Sequence, residues 1–69
     1  MLSNPMFGDL VQVWYRPKVR DIMPLHGKFG RVNRRGSGRP RNHEVLIDGE
    51  VYVVPAGNLR RAGAEGERD

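Results

Sequence analysis

Apolar and polar residues alternate over short stretches of this chain, and no window of eleven residues carries a sustained helical stripe. Leu10-Val11-Gln12-Val13-Trp14-Tyr15 follows a Gly8-Asp9 turn signal and is rich in β-branched and aromatic residues, which predicts a strand. Asp9 reads as the turn residue that closes the strand start. Successive strand side chains point to opposite faces. Val11, Val13 and Tyr15 therefore share one face, and Leu10, Gln12 and Trp14 the other, so one of the two adjacent rings is expected to be exposed. Arg16-Pro17 ends the run, because proline cannot donate to a strand ladder. Residues 18–24 predict a long loop, with Val19, Ile22 and Met23 folding back over the core. Residues 28–32 predict a second strand, where Gly30 marks a bulge or a close backbone approach. Residues 33–42 lack bulky apolar side chains and predict a loop.

Two further β-rich runs, His43–Ile47 and Glu50–Val54, flank Asp48-Gly49, a strong hairpin signal. A two-residue turn pairs Leu46 with Val51. A three-residue turn sets Val45, Ile47, Val51 and Val53 on one face and is preferred here for its cleaner core face. Pro55 to Leu59 predicts one helical turn with Leu59 as a core plug, and Arg60-Arg61 a short last strand. Phe29 and Tyr52 are expected in the core. The pattern divides the chain into a flexible start (1–6), a folded body (7–61) and a disordered acidic tail (62–69). The fold class expected is all-β: a small, strongly bent barrel of four or five short strands with one helical turn before the last, since closure leaves few exposed edges.

Composition adds charge to this picture. The 69 residues allow one domain, and 38% apolar content allows only a small core, helped by tight turns or self-association. Residues 1–43 hold nine bases and two acids, net +7. Residues 44–69 hold three bases and six acids, net −3, which together give +4. Ten of the twelve bases are arginine, the residue suited to forked contacts with phosphate, although a GC-rich genome also favours arginine codons. No cysteine is present, which excludes disulfide staples and thiolate metal sites and makes a reducing, cytoplasmic setting the expectation. The longest apolar runs are three to four residues, against the roughly 20 a membrane-spanning helix needs, and no signal-peptide pattern opens the chain.

Gly8-Asp9-x-Val11-x-Val13, the long first loop, Gly27-Lys28-Phe29-Gly30-Arg31-Val32, the hairpin and Pro55-x-x-x-Leu59 together resemble an SH3-like barrel. Within it, Gly27-Lys28-x-Gly30-x-Val32 is similar to the glycine-centred core of the KOW motif of ribosomal proteins and transcription elongation factors. The loop before Gly27 is longer than in that family and carries Pro17 and Pro24. The resemblance implies that the first long loop and the loop between the middle strands can lie on the same side, so that Lys18, Arg20 and Lys28 extend one basic patch. It does not choose between RNA, DNA, peptide and subunit binding.

The sharpest chemical feature is Arg31, Arg34, Arg35, Arg39 and Arg41, five guanidiniums within eleven residues and no acid among them. Such a cluster repels itself unless it is solvated or meets an anionic partner, and a phosphate backbone is the best match. Gly38-Arg39-Pro40 also resembles the core of an AT-hook, whose extended Gly-Arg-Pro segment enters the minor groove of A·T-rich DNA, although Ser37 stands where that family has a basic residue or proline. The candidate nucleic-acid contacts are Lys28, Arg31, Arg34, Arg35, Arg39 and Arg41, with Trp14 and Tyr15 as candidate stacking rings. His26 and His43 stand alone, so no metal site, cofactor or catalytic set is expected. Type II dihydrofolate reductases are SH3-like barrels too, but their Val-Gln-Ile-Tyr stretch is Val51-Tyr52-Val53-Val54 here, and no enzymatic role is expected. The function expected is a small basic nucleic-acid-binding module, for DNA or RNA, with little sequence specificity. The alternative is an assembly module docking a protein complex through the barrel surface. No membrane partner is expected.

Overall fold

The computed structural model describes residues 5–38 and 41–62. The expected all-β class is what it shows. Strands β1 (Leu10–Val13), β2 (Phe29–Arg34), β3 (Asn42–Ile47), β4 (Glu50–Pro55) and β5 (Leu59–Arg61) form one antiparallel sheet in the order β4-β3-β2-β1-β5, bent into a small barrel-like body. A 3-10 turn (Ala56–Asn58) precedes β5 as anticipated. A second 3-10 helix (Pro17–Ile22) occupies the first long loop, started by Pro17, whose fixed φ suits a first helical position. Of the residues expected to fold back from this loop, Val19 and Met23 are half-buried, whereas Ile22 is exposed.

One inward-facing set fills the core: Val11 and Val13 from β1, Val32 from β2, Val45 and Ile47 from β3, Val54 from β4 and Leu59 from β5. Leu59 is the expected plug. Tyr15, Leu25 and Tyr52 pack against this cluster from its margin, so Tyr52 is partly buried. Gly30 is the close backbone approach: a Cβ there would lie 2.6 Å from the Leu46 carbonyl oxygen and 2.7 Å from a side-chain carbon of Ile47. Pro5 is also buried, and the Ala62 N–H donates to the Leu10 carbonyl at 3.0 Å, so packing reaches slightly past residues 7–61 at both ends. The rest of the acidic tail and residues 1–4 lie outside the described residues.

The hairpin departs from the preferred register. Ile47 pairs with Glu50 and Leu46 with Val51, which is the strict two-residue turn. Asp48 (φ 51°) and Gly49 (φ 82°) both adopt left-handed backbone, the geometry whose twist matches the flanking strands. A one-residue difference in turn length sends β4 to the opposite face. Tyr52 and Val54 therefore face inward, while Val51 and Val53 join Leu46 and Phe29 as exposed apolar side chains. Phe29, expected in the core, stands on the outer face because Gly30 and Val32 take the inward positions of β2.

Candidate nucleic-acid interface

The basic loop leaves the sheet through a bulge. Val32 pairs with Val45 and Arg34 with Glu44, so Asn33 is an extra residue without a partner. A bulge breaks strict alternation, and here it turns Asn33 and Arg34 outward in succession. The loop is pinned at its root by buried His43, whose Nδ1 accepts the Gly36 N–H at 2.8 Å. Gly36 is seated directly against the Asn42 backbone, where a Cβ would come within 2.6 Å of the carbonyl carbon. Arg34, Arg35, Gly36, Ser37, Asn42, Glu44 and Val53 line an open groove of about 230 Å³ beside this root.

The predicted contacts do not form one patch. Arg34 and Arg35 are exposed at the groove, and Arg41 is exposed at the start of β3; Arg39, with Pro40, lies outside the described residues. Glu44 is the carboxylate nearest to Arg34, at 3.9 Å, and it also accepts the Asn33 amide at 3.1 Å. Arg31 points from the outer face of β2 and donates to the Gly8 carbonyl at 3.1 Å. Lys28 sits at the other end of β2, paired with Asp48 of the hairpin turn at 3.0 Å. The order of strands explains the split. The β2–β3 loop is at the end of the sheet where β2 finishes, whereas Lys28, the Lys18–Arg20 segment and Trp14 are at the end where β1 finishes. The shared basic side implied by the resemblance is therefore not how these groups are arranged.

Neither Trp14 nor Tyr15 is the open stacking platform that alternation predicts. β1 ends at Val13, so alternation stops before the two rings and both are half-buried. The Tyr15 N–H donates to Nδ1 of His26 at 3.0 Å, and the Trp14 N–H donates to the Asn58 carbonyl at 2.9 Å. The Arg60 guanidinium lies 3.6 Å from the Trp14 ring centroid, the Arg20 guanidinium 4.8 Å, and the His26 ring 4.5 Å. Gln12 ties this cluster together: its amide nitrogen donates to the Gly27 carbonyl, and its oxygen accepts from Nε of Arg60, both at 3.0 Å. Desolvation, then the Arg20 and Arg60 charges, hold the His26 pKa below its ordinary 6.5. The sequence carries no local signal for this arrangement, because Gln12 and Arg60 meet only through the β1–β5 register.

Among the described residues no three His, Asp or Glu side chains gather as a metal site would require, and no helix is long and apolar enough to cross a membrane. No family model, curated protein or solved structure matches the chain.

Proposed function

We propose that this chain is a small nucleic-acid-binding module that holds phosphates through the arginines of its β2–β3 loop, with little sequence preference. The carrying observation is the bulged, pinned root of that loop, which presents Arg34 and Arg35 beside an open groove with a single carboxylate, Glu44. Arg39 and Arg41 add two more charges within the same loop segment. Phosphate contacts position a protein without reading bases. The resemblance of Gly27-Lys28-x-Gly30-x-Val32 to the KOW core is compatible with this reading, whereas the SH3-like layout as a whole is neutral between nucleic-acid and protein partners.

Fluorescence anisotropy with labelled A·T-rich duplex, G·C-rich duplex and single-stranded RNA tests this. With four loop arginines neutralising duplex phosphates, log K should fall against log salt with a slope of about −3.6. Replacing Arg34, Arg35, Arg39 and Arg41 by alanine should abolish that binding. A preference for the A·T duplex would favour minor-groove entry by Gly38-Arg39-Pro40, and one for RNA the KOW-like mode. No binding at low salt would sink the proposal.

One observation supports an assembly module as a second reading. Phe29, Leu46, Val51 and Val53 form an exposed apolar surface on the outer face of β2, β3 and β4. Docking through such a surface would be nearly insensitive to salt, unlike arginine–phosphate contact.

A further inference from the structure

Arg20 and Arg60 are held differently from the ion-paired bases. Lys28, Arg34 and Arg61 each have a carboxylate partner, in Asp48, Glu44 and Asp9. Arg20 and Arg60 have none among the described residues. Each is instead held by a neutral oxygen and by one shared ring. Nε of Arg20 donates to the Tyr15 carbonyl at 2.8 Å, and Nε of Arg60 to the Gln12 side chain at 3.0 Å. Both guanidinium carbons lie within 5 Å of the Trp14 centroid. Holding an arginine by Nε and by its flat face leaves the Nη pair, the forked edge that matches an oxyanion, without a partner among the described residues. His26 adds a third donor. Its Nδ1 accepts the Tyr15 N–H, which fixes the proton of the neutral ring on Nε2, and that N–H has no partner among the described residues. Among the described residues no buried side-chain nitrogen is left unsatisfied, so Nε2 is within reach of solvent.

We propose that Arg20, Arg60 and His26 form an anion site around Trp14 that takes a phosphate group. The three donors come from the first loop and β5, and all are in place before a ligand arrives, so little side-chain ordering opposes binding. One face of the indole is covered by Arg60 at 3.6 Å, so the site takes the phosphate rather than a stacked base. It lies at the end of the sheet opposite the arginine loop and stands independently of the function proposed for that loop.

NMR on the full chain tests the site, following the Trp14 indole N–H and the His26 ring. In one arm inorganic phosphate is added against chloride at matched ionic strength; in the other, a short single-stranded oligonucleotide. Phosphate should move both signals saturably where chloride does not, and the bound anion should raise the His26 pKa. Arg60→Gln should weaken the response about tenfold, as loss of a charge-assisted contact does. Arg20→Gln should do the same, and serves if the Arg60 variant fails to fold. An oligonucleotide acting at lower phosphate concentration than the free anion identifies a polymer as the source; the reverse identifies free phosphate. A response no larger than that to chloride, or folded Arg60→Gln and Arg20→Gln variants that respond like the parent, would overturn the site. A chain with Arg34, Arg35 and Arg41 changed to alanine should keep the phosphate response whatever becomes of its nucleic-acid binding, which separates failure of this site from failure of the loop.

Discussion

At single positions, two residues decide more than their neighbours do. His26 is one. Its Nδ1 accepts the Tyr15 N–H, so protonating that nitrogen both breaks the bond and sets a cation beside Arg20 and Arg60. The folded chain therefore takes up this proton less readily than the unfolded chain does. Linkage then gives stability that is fully present above the ordinary value of 6.5 and lost as pH falls through the lower folded value. Asp9 acts in a separate window. The Met6 N–H, more than Arg61, holds its carboxyl below 3.8, so its contribution fades only under more acidic conditions. His26→Asn keeps an acceptor near the position of Nδ1 and removes the titration. Thermal melts across pH should show the parent weakening just below 6.5 and the variant flat there; equal acid sensitivity would refute this role. Gly30 is the second position. A methyl group there meets the Leu46 carbonyl and Ile47 from too close. Gly30→Ala should cost about 1–3 kcal/mol in denaturant titrations, the usual range for overpacking. The sequence announced Gly30 as a bulge or a close approach. Only the register with β3 shows it to be the approach, with the bulge three residues further on at Asn33.

Among the elements, the hairpin shows what patterning can and cannot settle. Asp48-Gly49 announced the turn, but two turn lengths were compatible with the same residues, and the longer one offered four aliphatic side chains to a single face. The shorter turn prevails because Asp48 accepts left-handed backbone alongside Gly49, and Tyr52 then contributes its ring at the core margin. The distinction is measurable. Val54→Ala should lower stability by about 2 kcal/mol, the loss of two buried methyl-sized groups and the cavity they leave. Val53→Ala, on the exposed face, should change it by less than about 0.5 kcal/mol. The three-residue register makes the opposite prediction, so a chemical denaturation pair separates them. The Trp14 cluster was out of reach of pattern reasoning for a related reason. Alternation applies only while a strand lasts, and β1 stops one residue before the indole. Its arginine partners come from a 3-10 helix that the sequence read as loop and from a strand 46 residues away, counted from Trp14 to Arg60.

For the molecule as a whole, the fold class was legible because turn signals punctuate every strand and the inward positions are nearly all valine, isoleucine or leucine. The layout of charge was not legible, because it depends on which end of the sheet each loop leaves from. The two ends now carry different chemistry: carboxylate-poor arginines at the β2–β3 loop, and an arginine pair on an indole at the other. A body of this size buries little surface and stands only a few kcal/mol above unfolding, so a ligand that prefers the folded state should register strongly in its melting temperature. A duplex present at about 100 times its Kd should contribute about 2.7 kcal/mol. For a domain of 60–100 residues that is an upward shift of roughly 10–20 °C. Scanning calorimetry with a short duplex at low salt should show this shift. Adding salt should erase it as the complex dissociates, while the melt of the free chain moves far less. If the protein acts instead by docking its outer apolar face on another protein, the duplex should leave the melt unchanged at every salt concentration. Lysine substitutions at Val51 and Val53 should then abolish partner binding and spare the fold.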